Sequence, residues 1–235
     1  MDARTKLTDA WPLFGLRLRT EHLVLRMPSD DDVVELLQVA KAGIHPPDEM
    51  PFAIAWTDAS SEPGFVDGFA AFHEEALATW TPERWMLNLI AFADGEPVGT
   101  QGIGAMGFAT ERTVETGSWL GAASQGHGLG TEMRVAVLEL AFGVLGAVAA
   151  RSGWSEGGAG QSARVSARLG YRETGTHILR PRDEPVVQHD LLLERDEWRC
   201  PIDVELEAVG PCLPLFGAPP DPRLATDQIA RLAGS

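Results

Sequence analysis

The sequence predicts an α/β (α+β) fold in which a mixed, mostly antiparallel sheet of about seven strands is flanked by helices. Three observations indicate this fold. Runs of β-rich residues follow one another between 84 and 121, with the hairpin signal Asp94-Gly95 between two of them. Segments with helical spacing of apolar residues stand on both sides of these runs. A glycine-rich turn then leads from the last run directly into a helix.

The first elements are predicted in residues 15–43. Apolar and polar side chains alternate over 15–27 around a polar interruption, Thr20-Glu21-His22, which predicts two short strands or one bulged strand. Ser29 followed by three aspartates is typical of a helix start, because the hydroxyl caps free N–H groups and acids favour the positive end of the helix dipole. Gly43 is predicted to end this helix.

The rest of the chain continues this alternation of helices and strands. Residues 44–58 contain three prolines and several apolar side chains, which predicts an ordered loop of the kind that often borders a site. Phenylalanines at helical spacing predict a second helix over 61–80. The later elements are predicted as strands 84–94, 97–108 and 113–121, a helix at about 130–145, a strand 147–152, a helix near 160–169, strands 171–181 and 185–194, and a short strand within 203–217.

The length and composition bound the domain organisation. With 235 residues, of which 44% are hydrophobic, the chain is expected to form one domain over residues 15–200. Residues 1–14 are then an N-terminal extension, and residues 201–235 are a C-terminal extension with a loosely held tail. Apolar groups in the 44–60 loop and in 211–217 offer surfaces for a homodimer.

Charge and residue usage exclude several classes of protein. The formal net charge of −15 argues against binding to nucleic acid, which requires a basic surface. No apolar run reaches the roughly 20 residues that span a bilayer, and the N-terminus lacks an apolar signal segment. Cys200 and Cys212 have neither CxxC nor metal-type spacing, and the histidines are dispersed, so no metal site is expected. We expect a reduced, cytoplasmic protein without membrane contact.

Three glycines at every second position, Gly126, Gly128 and Gly130, lie where strand 113–121 leads into a helix. Backbone N–H groups without covering side chains at a helix start are typical of a polyphosphate cradle. The spacing fits the start of a P-loop, but His127-Gly128 replaces the required Lys-Ser/Thr. The pattern G-x-G-x-G also differs from the dinucleotide fingerprint G-x-G-x-x-G. Local helix dipoles would allow so acidic a chain to hold a polyanion.

The remaining pattern, Gln125-x-x-Gly128-x-Gly130, resembles the acyl-CoA loop of the GNAT N-acyltransferases. Together with TVETGSWLG before it and QSARVSARLGYRETG after it, in that order, it resembles the RimJ/RimL ribosomal-protein acetyltransferase branch over roughly residues 15–195. The segments WPLFGLRLRTEHLVLR and GIHPPDEMPFAIAWTDAS are similar to a mycobacterial GNAT protein regarded as a succinyl-CoA-dependent succinyltransferase.

The resemblance implies transfer of an acetyl or succinyl group from acetyl-CoA or succinyl-CoA to a primary amine, by direct attack in a ternary complex. The amine would belong to a protein N-terminus, a lysine or a small molecule, and an acidic surface favours such a cationic acceptor. It also implies that strand 113–121 splays from its parallel neighbour, so that pantetheine lies along the backbone of Trp119 and Leu120 and one of their N–H groups polarises the thioester carbonyl. The other implied CoA contacts are Gln125, Gly126, His127, Gly128, Leu129, Gly130, Thr131 and Ser162, with backbone N–H groups of the glycines and Thr131 on the pyrophosphate. One departure is Ala159, which stands where the family usually has an Asn that contacts the pantetheine arm.

Two hydroxyl groups are candidates for protonating the departing thiolate. The resemblance places Ser166 at the position where many GNAT enzymes have a tyrosine and RimL-like members have a serine. Because a thiol of this kind has a pKa of about 8.5, a hydrogen bond from a hydroxyl would help it to leave. Tyr171 is the second candidate, and its alternative role is packing in the core.

The general base is left open by the sequence. Glu115, two residues before Gly117, has the right neighbourhood to accept a proton from the amine directly or through water. His73, with Glu74 and Glu75, is an alternative group for holding the ammonium. His45, Pro46 and Trp56 are expected to shape the acceptor pocket.

Two other functions remain open at this stage. Ala159 in place of Asn favours a non-catalytic acyl-CoA sensor or interaction module that kept the fold and lost the chemistry. If the fold prediction were wrong, the glycine turn would indicate a nucleotide-binding protein instead. Acceptor choice is expected to depend on the 44–60 loop and the second helix.

Overall fold

The computed structural model describes residue 8 and residues 10–217. Its centre is one mixed sheet in the order β7-β8-β6-β5-β4-β3-β2-β1-β9, in which only the pair β5 and β6 is parallel. The strands are β1 (Arg17–Arg19), β2 (Val24–Arg26), β3 (Arg84–Ala93), β4 (Glu96–Met106), β5 (Thr113–Leu120), β6 (Ala149–Ser155), β7 (Arg172–Leu179), β8 (Val186–Glu194) and β9 (Glu205–Glu207). The predicted fold class is confirmed, with nine strands in the described residues in place of about seven.

Four helices of eight or more residues flank the sheet in the described part of the chain: α1 (Asp30–Ala42), α2 (Phe65–Ala78), α3 (Leu129–Leu138) and α4 (Gln161–Arg168). A single turn of helix, Phe108–Glu111, connects β4 to β5. Helix α3 continues without a break as a π-helix, Glu139–Leu145, so the helix predicted at 130–145 is confirmed as one helical segment. Helices α1 and α2 pack on one face of the sheet, where Leu36 and Phe69 contact Ile90. Helices α3 and α4 pack on the other face, over the main hydrophobic core. Among the described residues, no helix has the length and apolar character of a membrane span.

The start of α1 is the predicted N-cap. The hydroxyl of Ser29 accepts from the N–H of Asp32, whose carboxylate accepts from the N–H of Ser29, and together they form a capping box. Arg26 donates to both carboxylate oxygens of Asp32, at 2.5 and 2.7 Å. Burial raises the pKa of Asp32, but the hydrogen bonds from Arg26 and Ser29 outweigh it and lower the pKa to about 2. This network fixes α1 to the end of β2.

The C-terminal residues complete the domain. Strand β9 pairs with β1, and the 3-10 helix Gly210–Phe216 packs behind it. Phe216 is fully buried against Trp85, with ring centroids 4.8 Å apart, and Cys212 is also fully buried. The apolar groups of 211–217 are thus partly used inside their own chain, which removes much of this surface from the predicted homodimer. The predicted tail lies outside the described residues from 218 onwards.

The parallel strands β5 and β6 pair at three positions only, from Thr113 with Ala149 to Glu115 with Arg151. Beyond that point β5 stays paired with β4 as far as Leu120, while β6 stays paired with β8 as far as Ser155. The two strands therefore separate in the middle of the sheet, as the sequence predicted. The glycine-rich turn follows β5 directly, at the open end of the gap.

Candidate functional site

A cleft of about 400 Å³ lies at the gap between β5 and β6. Four segments form its walls, and they are distant in sequence: the segment after α1, the end of β5, the glycine turn with the start of α3, and α4. The lining residues are Ile44, His45, Glu49, Pro51, Phe52, Ser118, Trp119, Leu120, Gln125, Gly126, Gly128, Gly130, Thr131, Met133, Arg134, Gln161, Ser162, Arg164, Val165 and Arg168. Most of the predicted CoA contacts are among them.

Glycine is needed at the three positions of the turn for different structural reasons. Gly126 (φ 82°) and Gly128 (φ 87°) have left-handed backbone conformations that strain other residues. Gly130 lies inside α3, and a Cβ there would meet only ordinary contacts with Leu120 and Val165. The need for glycine at 130 is therefore not conformational, which agrees with close approach of a ligand to the backbone.

The start of α3 has no side-chain cap, so its first N–H groups depend on a ligand or solvent. The N–H of Thr131 donates to the carbonyl oxygen of Gly128 at 2.9 Å, and this bond competes with its predicted contact to phosphates. His127 is exposed and Leu129 is half-buried against the core, and neither lines the cleft.

Gln125 holds the cleft together from one end. Its side-chain amide donates to the carbonyl oxygen of Ile44 at 2.7 Å and to that of Leu120 at 2.8 Å. The glycine turn is thereby tied both to the end of β5 and to the segment after α1. Gln125 lines the cleft as predicted, while its amide group is engaged with the protein itself.

The backbone of β5 alternates between its two neighbours. Gly121 donates its N–H to Val98 of the β4 end, at 2.9 Å, and antiparallel pairing repeats this direction every second residue. The N–H of Trp119 therefore points towards β4, whereas those of Ser118 and Leu120 point into the gap. Of the two strand residues predicted to polarise a carbonyl, only Leu120 has its N–H on the open side, and Ser118 joins it.

Arginines give the cleft a local positive charge within a chain of net charge −15. Arg134, Arg164 and Arg168 line it, against a single acidic residue, Glu49. These arginines are not among the site residues that the sequence predicted. One signal was present, because Arg134 is the cation within the apolar run that forms the buried helix α3.

Arg134 is only 2% exposed. It donates from Nη1 to the hydroxyl of Ser152 on β6 at 2.8 Å, and from Nη2 to that of Ser118 on β5 at 3.3 Å. Its Nε is buried without a partner, and no carboxylate pairs with it among the described residues. The guanidinium thus spans the two separating strands with its charge uncompensated.

The glycine-rich stretch before α4 closes one side of the cleft. Met50 donates its N–H to the carbonyl oxygen of Gly157, and a Cβ on Gly157 would collide with the carbonyl oxygen of Met50. The N–H of Ala159 donates to the carboxylate of Glu49 at 2.9 Å. The glycines are needed because two backbones meet here. The position that usually holds Asn instead joins α4 to the segment after α1.

The predicted hydroxyls on and after α4 occupy different places. Ser162 lines the cleft and donates to the carbonyl oxygen of Gly153 at 3.2 Å. Ser166 is 1% exposed, is not among the residues that line the cleft, and its hydroxyl has no partner. The hydroxyl of Tyr171 is 3.4 Å from that of Thr116, at the closed end of the gap between β5 and β6.

Glu115 lies on the opposite face of the sheet from α3. Two further cavities, of about 550 and 510 Å³, share Glu115 and Arg151 in their walls. Glu75 of α2 lines the larger one. His73 is buried in α2, and burial lowers its pKa to about 4, so it is neutral at pH 7 and cannot act as a charged group there.

An aromatic cluster joins the segment after α1 to β5. His45 and Phe52 line the cleft, and the ring of Trp56 lies between Phe52 and Trp119, at centroid distances of 5.3 and 5.7 Å. His45 also contacts the hydroxyl of Thr57 at 2.8 Å. His45 thus lines the cleft, whereas Pro46 and Trp56 do not, and the part of the three residues in an acceptor pocket stays a prediction.

Comparison with known proteins agrees with this arrangement. Mycobacterium smegmatis RimJ in complex with CoA-disulfide is 20% identical, with 89% of this chain and 97% of that chain covered and a TM-score of 0.63. A GCN5-related N-acetyltransferase from Brucella melitensis is 16% identical, with 77% and 80% covered and a TM-score of 0.58. An N-acetyltransferase from Staphylococcus aureus is 14% identical, with 74% and 99% covered and a TM-score of 0.56. These structures share the fold.

The family itself is given by the sequence match. Residues 22–172 match the acetyltransferase (GNAT) domain, which is more than half of the chain. The glycine turn, the separating strands and all the residues that line the cleft lie within that range. The chain therefore belongs to the GNAT acetyltransferase family.

Proposed function

We propose that this protein transfers an acyl group from acyl-CoA to a primary amine. The observation that supports this best is the gap between β5 and β6, which opens directly beside the glycine turn. The turn would hold the pyrophosphate at the uncapped start of α3, with Arg164 and Arg168 adding positive charge. The pantetheine arm would extend into the gap along β5, with the thioester near Ser118 and Leu120.

The reaction would be a direct attack in a ternary complex. The amine nitrogen forms a bond to the thioester carbon, the carbonyl oxygen becomes an oxyanion, and the C–S bond then breaks to release CoA thiolate. A backbone N–H of β5 that points into the gap would stabilise the oxyanion. Glu115 would take the proton of the ammonium, directly or through water, from the other face of the sheet. Ser166 would give a proton to the thiolate, with Tyr171 as the alternative donor.

The donor is proposed to be acetyl-CoA or succinyl-CoA, and the acceptor a protein N-terminus, a lysine or a small amine. A RimJ-like fold and the acidic surface support a cationic acceptor. Titration of the protein with acetyl-CoA, succinyl-CoA and free CoA by calorimetry tests the donor site, with ATP and NAD as controls. Thiol release with a panel of amines and peptides then tests transfer. Binding of ATP or NAD without any CoA species would overturn the proposal.

A second candidate is a non-catalytic acyl-CoA sensor, and Ala159 favours it. This residue contacts Glu49 through its backbone where the family usually places an Asn side chain, so one contact to the pantetheine arm is replaced by a contact within the protein. Tight CoA binding without thiol release across the panel would support the sensor.

We also propose a cytoplasmic location and a homodimer. The exposed apolar side chain of Ile54, in the 44–60 loop, supports the homodimer, and the molecular mass in solution tests it.

A further inference from the structure

Arg134 is the most unusual polar residue of the cleft. A buried guanidinium with two hydroxyl partners and no carboxylate has been taken out of water without the compensation that buried charges usually have. An anion bound beside the guanidinium would supply this compensation. The guanidinium lines the cleft, so the anion has access to it from the side where a ligand would lie.

The position of Arg134 separates it from the predicted phosphate site. It lies one helical turn after Gly130, about 6 Å further along α3, and its side chain donates to Ser118 and Ser152. Ser118 lies on β5 and Ser152 on β6, the two strands that separate, and the backbone N–H of Ser118 points into the gap between them. The guanidinium is therefore near the acyl end of a bound donor, and the pyrophosphate would be held at the start of the helix.

We infer that Arg134 binds the terminal carboxylate of a dicarboxylic acyl group carried by CoA, such as the succinyl group. This inference rests on the proposed acyl-CoA function and adds the residue that selects the donor. A carboxylate accepts two parallel hydrogen bonds from a guanidinium, and the buried position strengthens the pair. The free Nε and the weak 3.3 Å contact of Nη2 leave donors for it.

The acceptor is the other possible source of a carboxylate, but the structure favours the donor. An acceptor would approach from the face of the sheet that carries Glu115, and there the cation is Arg151, which is exposed and has no ion pair among the described residues. Arg134 belongs to α3, which packs on the opposite face of the sheet.

The test compares donors of equal chain length. Calorimetric titration of the unaltered protein with succinyl-CoA and butyryl-CoA isolates the carboxylate, and we expect succinyl-CoA to bind at least about tenfold more tightly. Arg134→Met should abolish this difference, because it should weaken the binding of succinyl-CoA at least about tenfold more than that of butyryl-CoA. Arg164→Met is the matched control: it removes another cleft arginine and should weaken both donors by the same factor.

Equal affinity of the unaltered protein for the two donors, or tighter binding of butyryl-CoA, would overturn the inference while the acyl-CoA function stands. Failure to bind any CoA species would instead overturn the function. A changed KM for the amine with acetyl-CoA, without a change in donor preference in Arg134→Met, would assign the carboxylate to the acceptor and also overturn it. Because the variant removes an uncompensated buried charge, we expect no loss of thermal stability. If it fails to fold, the comparison on the unaltered protein decides.

Discussion

Glu115 of β5 faces Arg151 of β6 in the last paired position before the two strands separate. Both side chains are exposed, and neither forms an ion pair with any described residue. The carboxylate is thus unengaged at the closed end of the gap, on the face away from α3. This is the place from which a base would reach an amine that attacks a thioester in the gap.

Replacement of Glu115 by Gln is expected to lower kcat by about 100-fold, because the amide cannot accept the proton of the ammonium. Affinity for CoA should not change, since the residue lies on the other face of the sheet. Thiol release at several pH values measures the effect. Glu111→Gln, which alters another exposed acid of the same cavity, is the control and should keep full activity. An unchanged kcat and pH profile in Glu115→Gln would exclude Glu115 as the base.

Alanine substitutions should distinguish the roles of the glycines in the turn. At Gly126 the left-handed backbone makes alanine cost about 1 kcal/mol of stability. At Gly130 the backbone is helical, so alanine should preserve stability or raise it by up to about 1 kcal/mol. Its methyl group would nevertheless separate the backbone from a phosphate and raise the Kd for CoA about tenfold. Thermal unfolding and calorimetry measure both, and wild-type affinity in Gly130→Ala would contradict close approach.

Ser166→Ala and Tyr171→Phe test the proton donor. We expect Ser166→Ala to lower kcat about tenfold without a change in CoA affinity. It should not reduce stability, since the buried hydroxyl has no partner to lose. Tyr171→Phe removes only the 3.4 Å contact to Thr116. Full activity in the serine variant together with loss in the phenylalanine variant would assign the proton to Tyr171.

His73 should make the protein sensitive to mild acid. Burial lowers its pKa from 6.5 to about 4. Between these two pH values the imidazole is protonated in the unfolded state and neutral in the folded state. Its contribution is complete above pH 6.5 and falls by about 3 kcal/mol as the pH reaches 4. Urea unfolding at pH 7, 5.5 and 4 measures this, and His73→Leu should show a smaller loss by that amount. Parallel losses in both proteins would contradict the assignment.

The sequence predicted helix starts and turns well where a short motif is typical of a single local structure. The capping box at Ser29 and the hairpin at Asp94-Gly95, where both residues have positive φ, formed as expected. The three-residue strands β1, β2 and β9 lie where the sequence predicted two short strands or one bulged strand over 15–27 and a short strand within 203–217. Their exact bounds depend on the neighbouring strands that pair with them. Pairing between distant segments is not visible in a local pattern.

The candidate site was predictable in its backbone and less so in its side chains. The glycine turn and the end of β5 follow from contiguous residues, and they line the cleft. Arg134 was not predicted, because the role of a cation in an apolar helix depends on its contacts with Ser118 and Ser152, which lie on two separate strands. Ser166 was placed by the resemblance to the family, which does not reveal that its hydroxyl is buried and does not line the cleft.

The pairing of β9 with β1 places residues 205–207 at the edge of the sheet, beside its first strand. Without residues 205–216, the outer hydrogen-bonding groups of β1 would be open to strands of other molecules, and Trp80 and Trp85 would lose the ring of Phe216 that covers them. A protein shortened to the 22–172 match would also lack β1, β8 and all of β7 except its first residue. The catalytic fold therefore depends on sequence well beyond the part by which its family is recognised.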